Sequence, residues 1–230
     1  MAEKKPLQID IQSEIGQLNA VLLHTPGAEV ENMTPKMAQR ALYSDILNLS
    51  IAQEEYKQLS GVLSKIANVY TVTDLLVKVL DNPVERETLV RKICMTENVM
   101  EYYDTLMEMN STRLAKALIE GLPARINTLT SFLNEDYYAL FPLYNFYFTR
   151  DAAVTIGNSA LICKMANKVR MRESLIMQAI YQGSGEFTCG IIDAYDHSPL
   201  NPNLFMEGGD ILIAREDVLL IGNGIRTSSQ

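Results

Sequence analysis

Asn145-Phe146-Tyr147-Phe148-Thr149-Arg150-Asp151 is an aromatic run that ends in two adjacent, opposite charges. Aromatic and β-branched residues suit a pleated, half-buried surface, so the run is predicted as a strand. A second apolar run, Ala152 to Ile156, follows at once; Gly157-Asn158-Ser159 supplies a turn, and Ala160-Leu161-Ile162-Cys163 returns as another strand. Taken singly, Arg150 and Asp151 read as the solvated end of a hairpin. The arrangement recurs, however. Glu207-Gly208-Gly209-Asp210 again sets acidic residues at the opening of a hairpin, with strands Ile211 to Ala214 and Val218 to Ile221 around Arg215-Glu216-Asp217. A polar loop holding an arginine follows each hairpin, Arg170 in the first copy and Arg226 in the second. One shared module accounts for both copies.

The 230 residues suffice for a sizeable core, in one large domain or two smaller ones. Asp plus Glu total 28 against 20 Lys plus Arg, and this net charge of −8, with no basic cluster, disfavours a nucleic-acid or anionic-membrane partner. An internal small-molecule site stays open. No stretch approaches the length of a membrane span, and no continuous apolar segment near Met1 marks a secretory signal. Cys94, Cys163 and Cys189 are odd in number and widely spaced, which fits reduced thiols in a cytoplasm. The two histidines, His24 and His197, lack zinc-site spacing, and there is no glycine-rich phosphate cradle, so neither metal nor cofactor is expected.

In chain order, Glu14 to Leu18 with Ala20 to His24 reads as a first strand-turn-strand unit stopped by Pro26-Gly27. Glu29 to Tyr43 is predicted as a surface loop. Ser50-Ile51-Ala52-Gln53 matches a capping box, and Ile51, Leu59, Val62, Leu63 and Ile66 keep helical spacing up to a short strand at Val69 to Val72. From Asp74 to about Leu140 helix signals follow one another. Asn82-Pro83 begins one helix, Gly121 and Pro123 close another, and Met95, Met100, Tyr102, Tyr103, Met107 and Met109 are expected in their core. After the Asp151 hairpin come a polar loop (Ala166 to Met171), a helix (Glu173 to Tyr181) and a strand (Thr188 to Ile192). The order hairpin, helix, strand thus repeats, and the chain ends directly after a third hairpin, where the pattern calls for more; it is expected to be an N-terminal piece of a longer protein.

If the modules bring Asp151, Glu207 and the two arginines together, the chemistry is restricted. Facing carboxylates raise one another's pKa unless a cation lies between them. A guanidinium suits that place, being planar, permanently charged and able to give paired N–H bonds. Arg170 and Arg226 would suit a carboxylate at the far end of the same ligand. The competing reading is that these four charges simply pair with each other, with Gly208 and Gly209 only relieving a tight turn.

These residues resemble the arginine deiminases of the guanidine-modifying (pentein) superfamily across almost the whole chain. The resemblance rests on Glu14 to Leu18, His24 to Gly27, Thr34-Pro35, the run Asn145 to Asp151, Arg170-x-Arg172-Glu173, Glu207 to Asp210 and Arg226-Thr227-Ser228, in the family's order. It implies a partial five-module α/β propeller formed by residues 1–73 and 141–230, with an all-helical domain inserted at 74–140. It implies that Asp151 grips a guanidinium and that Glu207 sits beside it, orienting a catalytic histidine. Arg170 and Arg226 would clamp the carboxylate of L-arginine, with Asn145 assisting, Phe148 walling the aliphatic stem and Leu42 reading the α-amino group from a mobile loop. Asp210, with Gly208 and Gly209, would hold the turn. In the family a cysteine thiolate attacks the guanidinium carbon, ammonia leaves and water releases citrulline.

Two departures stand out. The family's His-x-Asp and late cysteine have no counterpart here, so the nucleophile is expected beyond Gln230 and the chain alone is expected to be inactive. Leu42 is followed by Tyr43-Ser44-Asp45 where the family carries a more acidic Phe-Asp-Asp. Alternatives are another guanidine-modifying enzyme, such as an agmatine deiminase or amidinotransferase, and a non-catalytic arginine sensor or scaffold. An unclosed ring would also leave strand edges exposed, so a homo-oligomer is possible.

Overall fold

The computed structural model describes residues 5–31, 33, 43, 46–125, 137–195 and 204–229. Leu42, Thr34, Pro35 and His197 lie outside the described residues, and so does most of the loop predicted after Glu29.

The fold is mixed α/β, built from small sheets and covering helices. Strand β1 (Leu7–Gln8) runs parallel to β8 (Phe187–Thr188). Strand β2 (Ala20–Leu23) runs parallel to β3 (Asn68–Thr71), the chain crossing between them through α1 (Ala28–Glu31) and α2 (Leu49–Leu63). The expected first hairpin is therefore replaced by a strand–helix–parallel strand unit, as parallel pairing through a helical crossover requires. Four helices follow: α3 (Val72–Asp81), α4 (Pro83–Thr96), the short α5 (Tyr103–Met107) and α6 (Ser111–Glu120). A small ladder of β4 (Leu122–Pro123) and β5 (Tyr138–Leu140) lies in a region that reads as purely helical.

The single turn α7 (Thr149–Ala152) then leads into the hairpin β6 (Ala153–Ile156) and β7 (Ser159–Ile162). Helix α8 (Met171–Gly183) returns the chain so that β9 (Gly190–Asp193) lies parallel to β7. A 3₁₀ turn at Gly208–Asp210 introduces the last hairpin, β10 (Ile211–Arg215) and β11 (Val218–Ile221). Both hairpins, the helix and the strand after the first, and the Gly157-Asn158 turn, with Gly157 at φ 53°, agree with the sequence reading.

Caps explain several helix starts. Asn82 accepts from the Val84 N–H at 3.0 Å and places Pro83 at the first helical position. At α2 the cap is Asn48, which accepts from the Ile51 N–H at 3.2 Å, and not the predicted Ser50 box; Ser50 instead donates to the Asn48 side chain. The apolar stripe of α2 is also exposed, Ile51, Leu59 and Val62 facing out, as does Ile66 in the turn just after the helix. Periodicity located the helix but not its covering, because periodicity says nothing of what lies opposite. Met95 and Met100 are likewise exposed, whereas Tyr102 is buried and Tyr103, Met107 and Met109 pack at the core's edge.

Helix α8 packs on α3 and α4. Leu75, Leu76, Ile93 and Leu118 of the helical layer and Ile162, Ile176, Ile180 and Ile211 of the α/β layer share one continuous core. Each such side chain contributes roughly 1.5–3 kcal/mol of burial free energy. Arg172, at the start of α8 and almost wholly buried, crosses between the layers to Glu97 at 3.4 Å and donates to the Phe141 carbonyl.

Candidate active site

The stretch Asn145 to Asp151 is not a strand. Residues 144–147 form a turn and α7 follows, closed by short-range bonds from the N–H groups of Phe146 to Leu143 O, Phe148 to Asn145 O and Asp151 to Phe148 O, at 3.1, 3.0 and 3.1 Å. A strand would send neighbouring side chains to opposite faces. The turn instead sends Phe146 into the core, where its ring lies 5.2 Å from that of buried His24, and leaves Tyr147 and Phe148 side by side on one cleft, ring centroids 4.3 Å apart. Tertiary burial of Phe146 outweighs the local β preference.

That cleft has a volume of about 500 Å³. Asp151, Glu207, Asn145, Phe148, Arg170 and Arg226 all line it, as do Gly209 and Asp210. Every described residue that sequence and resemblance single out is thus brought to one place, except Gly208, which packs behind the wall. Tyr43 and Tyr147 complete the lining and were not anticipated. The Tyr147 hydroxyl lies 2.6 Å from that of Tyr43, which donates to the Tyr144 carbonyl at 3.0 Å. Burial, reinforced by Tyr147, pushes the Tyr43 phenol well above its ordinary value, so it stays a neutral donor.

The two acidic turns lie directly against each other. A Cβ on Gly208 would overlap the Arg150 carbonyl oxygen, and one on Gly209 would stand 2.5 Å from Asp151 Oδ1. Only glycine lets the backbones approach so closely. Arg150 points away from the cleft, donating to Glu14 and to the carbonyls of Ile211 and Gly208, at 2.8 and 3.4 Å for the carbonyls. Asp210 accepts from the Thr227 hydroxyl at 2.6 Å, while Thr227 Oγ1 accepts from the Glu207 N–H at 3.1 Å. Thr227 therefore ties the Glu207 turn to the loop carrying Arg226; its place beside Arg226 was visible in the sequence, its role was not.

The arginines differ. Arg170 is only 2% exposed. Its Nε donates to Glu173 Oε1 at 3.0 Å, its Nη2 to Glu173 Oε2 at 2.8 Å and to the Asn145 carbonyl at 3.4 Å, and its Nη1 to Asp151 Oδ2 at 2.8 Å; Glu207 Oε2 is 3.9 Å from the same Nη1. Arg226 has a half-exposed side chain and lies 3.8 Å from Glu207. Arg170 is thus enclosed by carboxylates, whereas Arg226 keeps half of its side chain open to solvent.

Electrostatics follow from burial. Desolvation pushes the Glu173 carboxyl up to about 7 although Arg170 pulls it down. Glu207 is also raised by burial, against the Ala166 N–H, Arg170 and Arg226. Burial opposes the Arg170 charge, yet Glu173 and Asp151 outweigh it and hold the guanidinium more firmly ionised. Asp151, Glu207 and Asp210 line the cleft together with Arg170 and Arg226. Burial raises the thiols of Cys94 and Cys163, to about 11 and about 12, and Cys189 in the same direction, so none is an activated nucleophile. No group of side chains among the described residues could hold a metal ion, and no described helix is long and apolar enough to cross a membrane.

A model of the family described as Arginine deiminase matches residues 39–230. Among curated proteins, the arginine deiminase of Pediococcus pentosaceus is 35% identical over 96% of this chain, that of Listeria monocytogenes 33% and that of Borrelia garinii 30%, each over the same share. The chain spans 57% of the length of these relatives. On the family match and the relatives together, the chain belongs to the arginine deiminase family.

Proposed function

We propose that the chain carries the guanidine-binding part of an arginine deiminase site, and that the complete protein hydrolyses L-arginine to citrulline and ammonia. One observation carries this reading: Asp151 and Glu207, from two separate modules, share a cleft with a half-exposed arginine. Asp151 and Glu207 hold the ligand's guanidinium, Phe148 walls its stem, Asn145 assists and Arg226 meets its carboxylate. In the reaction a cysteine thiolate attacks the guanidinium carbon, ammonia leaves, and water cleaves the thiouronium adduct. Asp151 and Glu207 keep the guanidinium charged and planar for that attack.

The architecture we propose is an α/β propeller, with residues 74–140 as a helical domain inserted between 1–73 and 141–230. The strand–helix–parallel strand order of β2-α2-β3, repeated in β7-α8-β9, supports it. The raised thiols of the three cysteines support our reading that this chain alone does not turn over arginine, and their free state suits a cytoplasmic protein. The reading is tested by Asp151→Ala in the complete protein. Arginine turnover is expected to fall by about a hundred- to a thousandfold, as when a preorganised electrostatic group at the reacting centre is lost. Turnover kept within tenfold of wild type would sink the assignment.

A further inference from the structure

His24, just past the end of β2, and Glu29, in α1, are both almost wholly buried, yet neither lines the cleft. They meet side chain to side chain. His24 Nε2 lies 3.0 Å from Glu29 Oε1, which also accepts from the Gly27 N–H at 2.7 Å. A carboxylate only accepts, so the imidazole carries its proton on Nε2. Nδ1 is then a buried acceptor with no partner among the described residues. An apolar pair would fill this place without desolvating a carboxylate or stranding a nitrogen, and such replacements are often neutral or stabilising. Core stability alone therefore does not account for the pair.

The neighbours of the pair supply a use for it. The His24 ring lies 5.2 Å from that of Phe146, the wholly buried anchor of the turn that presents Asn145 and Phe148 to the cleft. Two residues before His24, the Leu22 carbonyl accepts from the Thr149 hydroxyl at 3.1 Å, at the start of the helical turn that carries Asp151. The end of β2 thus touches the site turn at two points. Its own position is fixed from α2, where the Tyr56 hydroxyl accepts from the His24 N–H at 3.2 Å and Gln53 donates to the Pro26 carbonyl at 2.9 Å.

We propose that His24 and Glu29 are positioning residues for the guanidine site: Glu29 fixes the imidazole, the imidazole fixes Phe146, and Phe146 sets the turn that carries Asn145, Phe148 and Asp151. The inference rests on the arginine deiminase reading for the ligand and on this geometry for the brace. Because the links act in series, breaking either one loosens the turn to the same extent.

The test combines amide exchange with L-arginine kinetics on the complete protein, well below its unfolding temperature. Glu29→Ala breaks the first link; His24→Gln keeps a donor for Glu29 but removes the ring, and so breaks the second. Each is expected to lower kcat/KM about tenfold, since a turn that wanders holds the guanidine less precisely. Each should also speed exchange of the Phe148 N–H, which bonds to the Asn145 carbonyl at 3.0 Å, by about tenfold more than that of the α3 amides. The double variant is expected to stay within about twofold of the singles, because coupled sites are not additive. Glu29→Gln, which can still accept both bonds, should stay within about twofold of wild type. If Glu29→Ala does not fold, His24→Gln makes the same test. Uniformly faster exchange, a multiplied loss in the double variant, or kcat/KM within about twofold of wild type in the singles overturns the brace and leaves the arginine reading standing. A complete wild-type protein that releases no citrulline from L-arginine overturns that reading instead, and the inference with it.

Discussion

Gly209 lies flat against Asp151, with no room between its Cα and the carboxylate for a Cβ, which would stand 2.5 Å from Oδ1. The obstacle is the movable end of a side chain, so Gly209→Ala is expected to turn the Asp151 carboxylate aside rather than unfold the protein. Guanidine affinity should drop about tenfold, or ~1.4 kcal/mol, with the urea midpoint nearly unchanged. Gly208→Ala meets the backbone oxygen of Arg150 instead and is expected to cost about 1–3 kcal/mol of stability through overpacking. Paired urea melts and ligand titrations separate the two effects.

Thr227 is buried and serves both turns at once, accepting from the Glu207 N–H and donating to Asp210. Thr227→Val keeps the shape and removes both bonds, leaving a buried donor and acceptor unpaired at a cost of about 1–3 kcal/mol. Amide exchange at Glu207 should accelerate well beyond that of the β6–β7 hairpin; uniform acceleration would show that Thr227 acts only through global stability.

Phe146 anchors the turn that presents Asn145, Tyr147 and Phe148. It is wholly buried, and Phe146→Ala is expected to destabilise the chain by about 3–5 kcal/mol. Thermal or urea unfolding measures this directly, and a loss below 1 kcal/mol would mean that the turn is held by its backbone bonds alone.

Glu173 gives a pH dependence whose sign is determined by burial. Its carboxyl rises from 4.5 to about 7 in the folded chain, so between those values the native state binds a proton that the unfolded state does not. The stability it contributes is fully present below about pH 4.5 and is lost as pH rises through 7. Glu207 shifts in the same direction. Wild type should therefore lose more stability than Glu173→Gln between pH 5 and pH 8. Urea unfolding of both proteins at the two pH values checks it, and an equal loss would refute it.

The elements legible from residue order are those set by local chemistry. The hairpins were readable because Gly157 takes a left-handed turn and apolar runs flank it; α4 and α6 were readable from Asn82-Pro83 and Gly121. The paired acidic turns were visible as a repeat, and the resemblance implied a guanidinium between them. The same local logic misread Asn145 to Asp151, since β preference does not register that Phe146 finds a complete apolar pocket in a turn. It also left the α2 stripe without a covering surface.

The residue types at positions 145, 148, 151, 170, 207 and 226, with the repeat and the resemblance, led to the expectation of a site for a ligand carrying a guanidinium and a carboxylate, because charge type and glycine placement are local properties of the chain. How far each arginine is buried was decided only by tertiary structure. Residues 151, 170, 173 and 207 come from separate turns and helices, and burial at their meeting point brings Arg170 onto Asp151 and Glu173 while leaving Arg226 half in solvent. That difference is one of desolvation and distance, and neither is encoded in the order of residues along the chain.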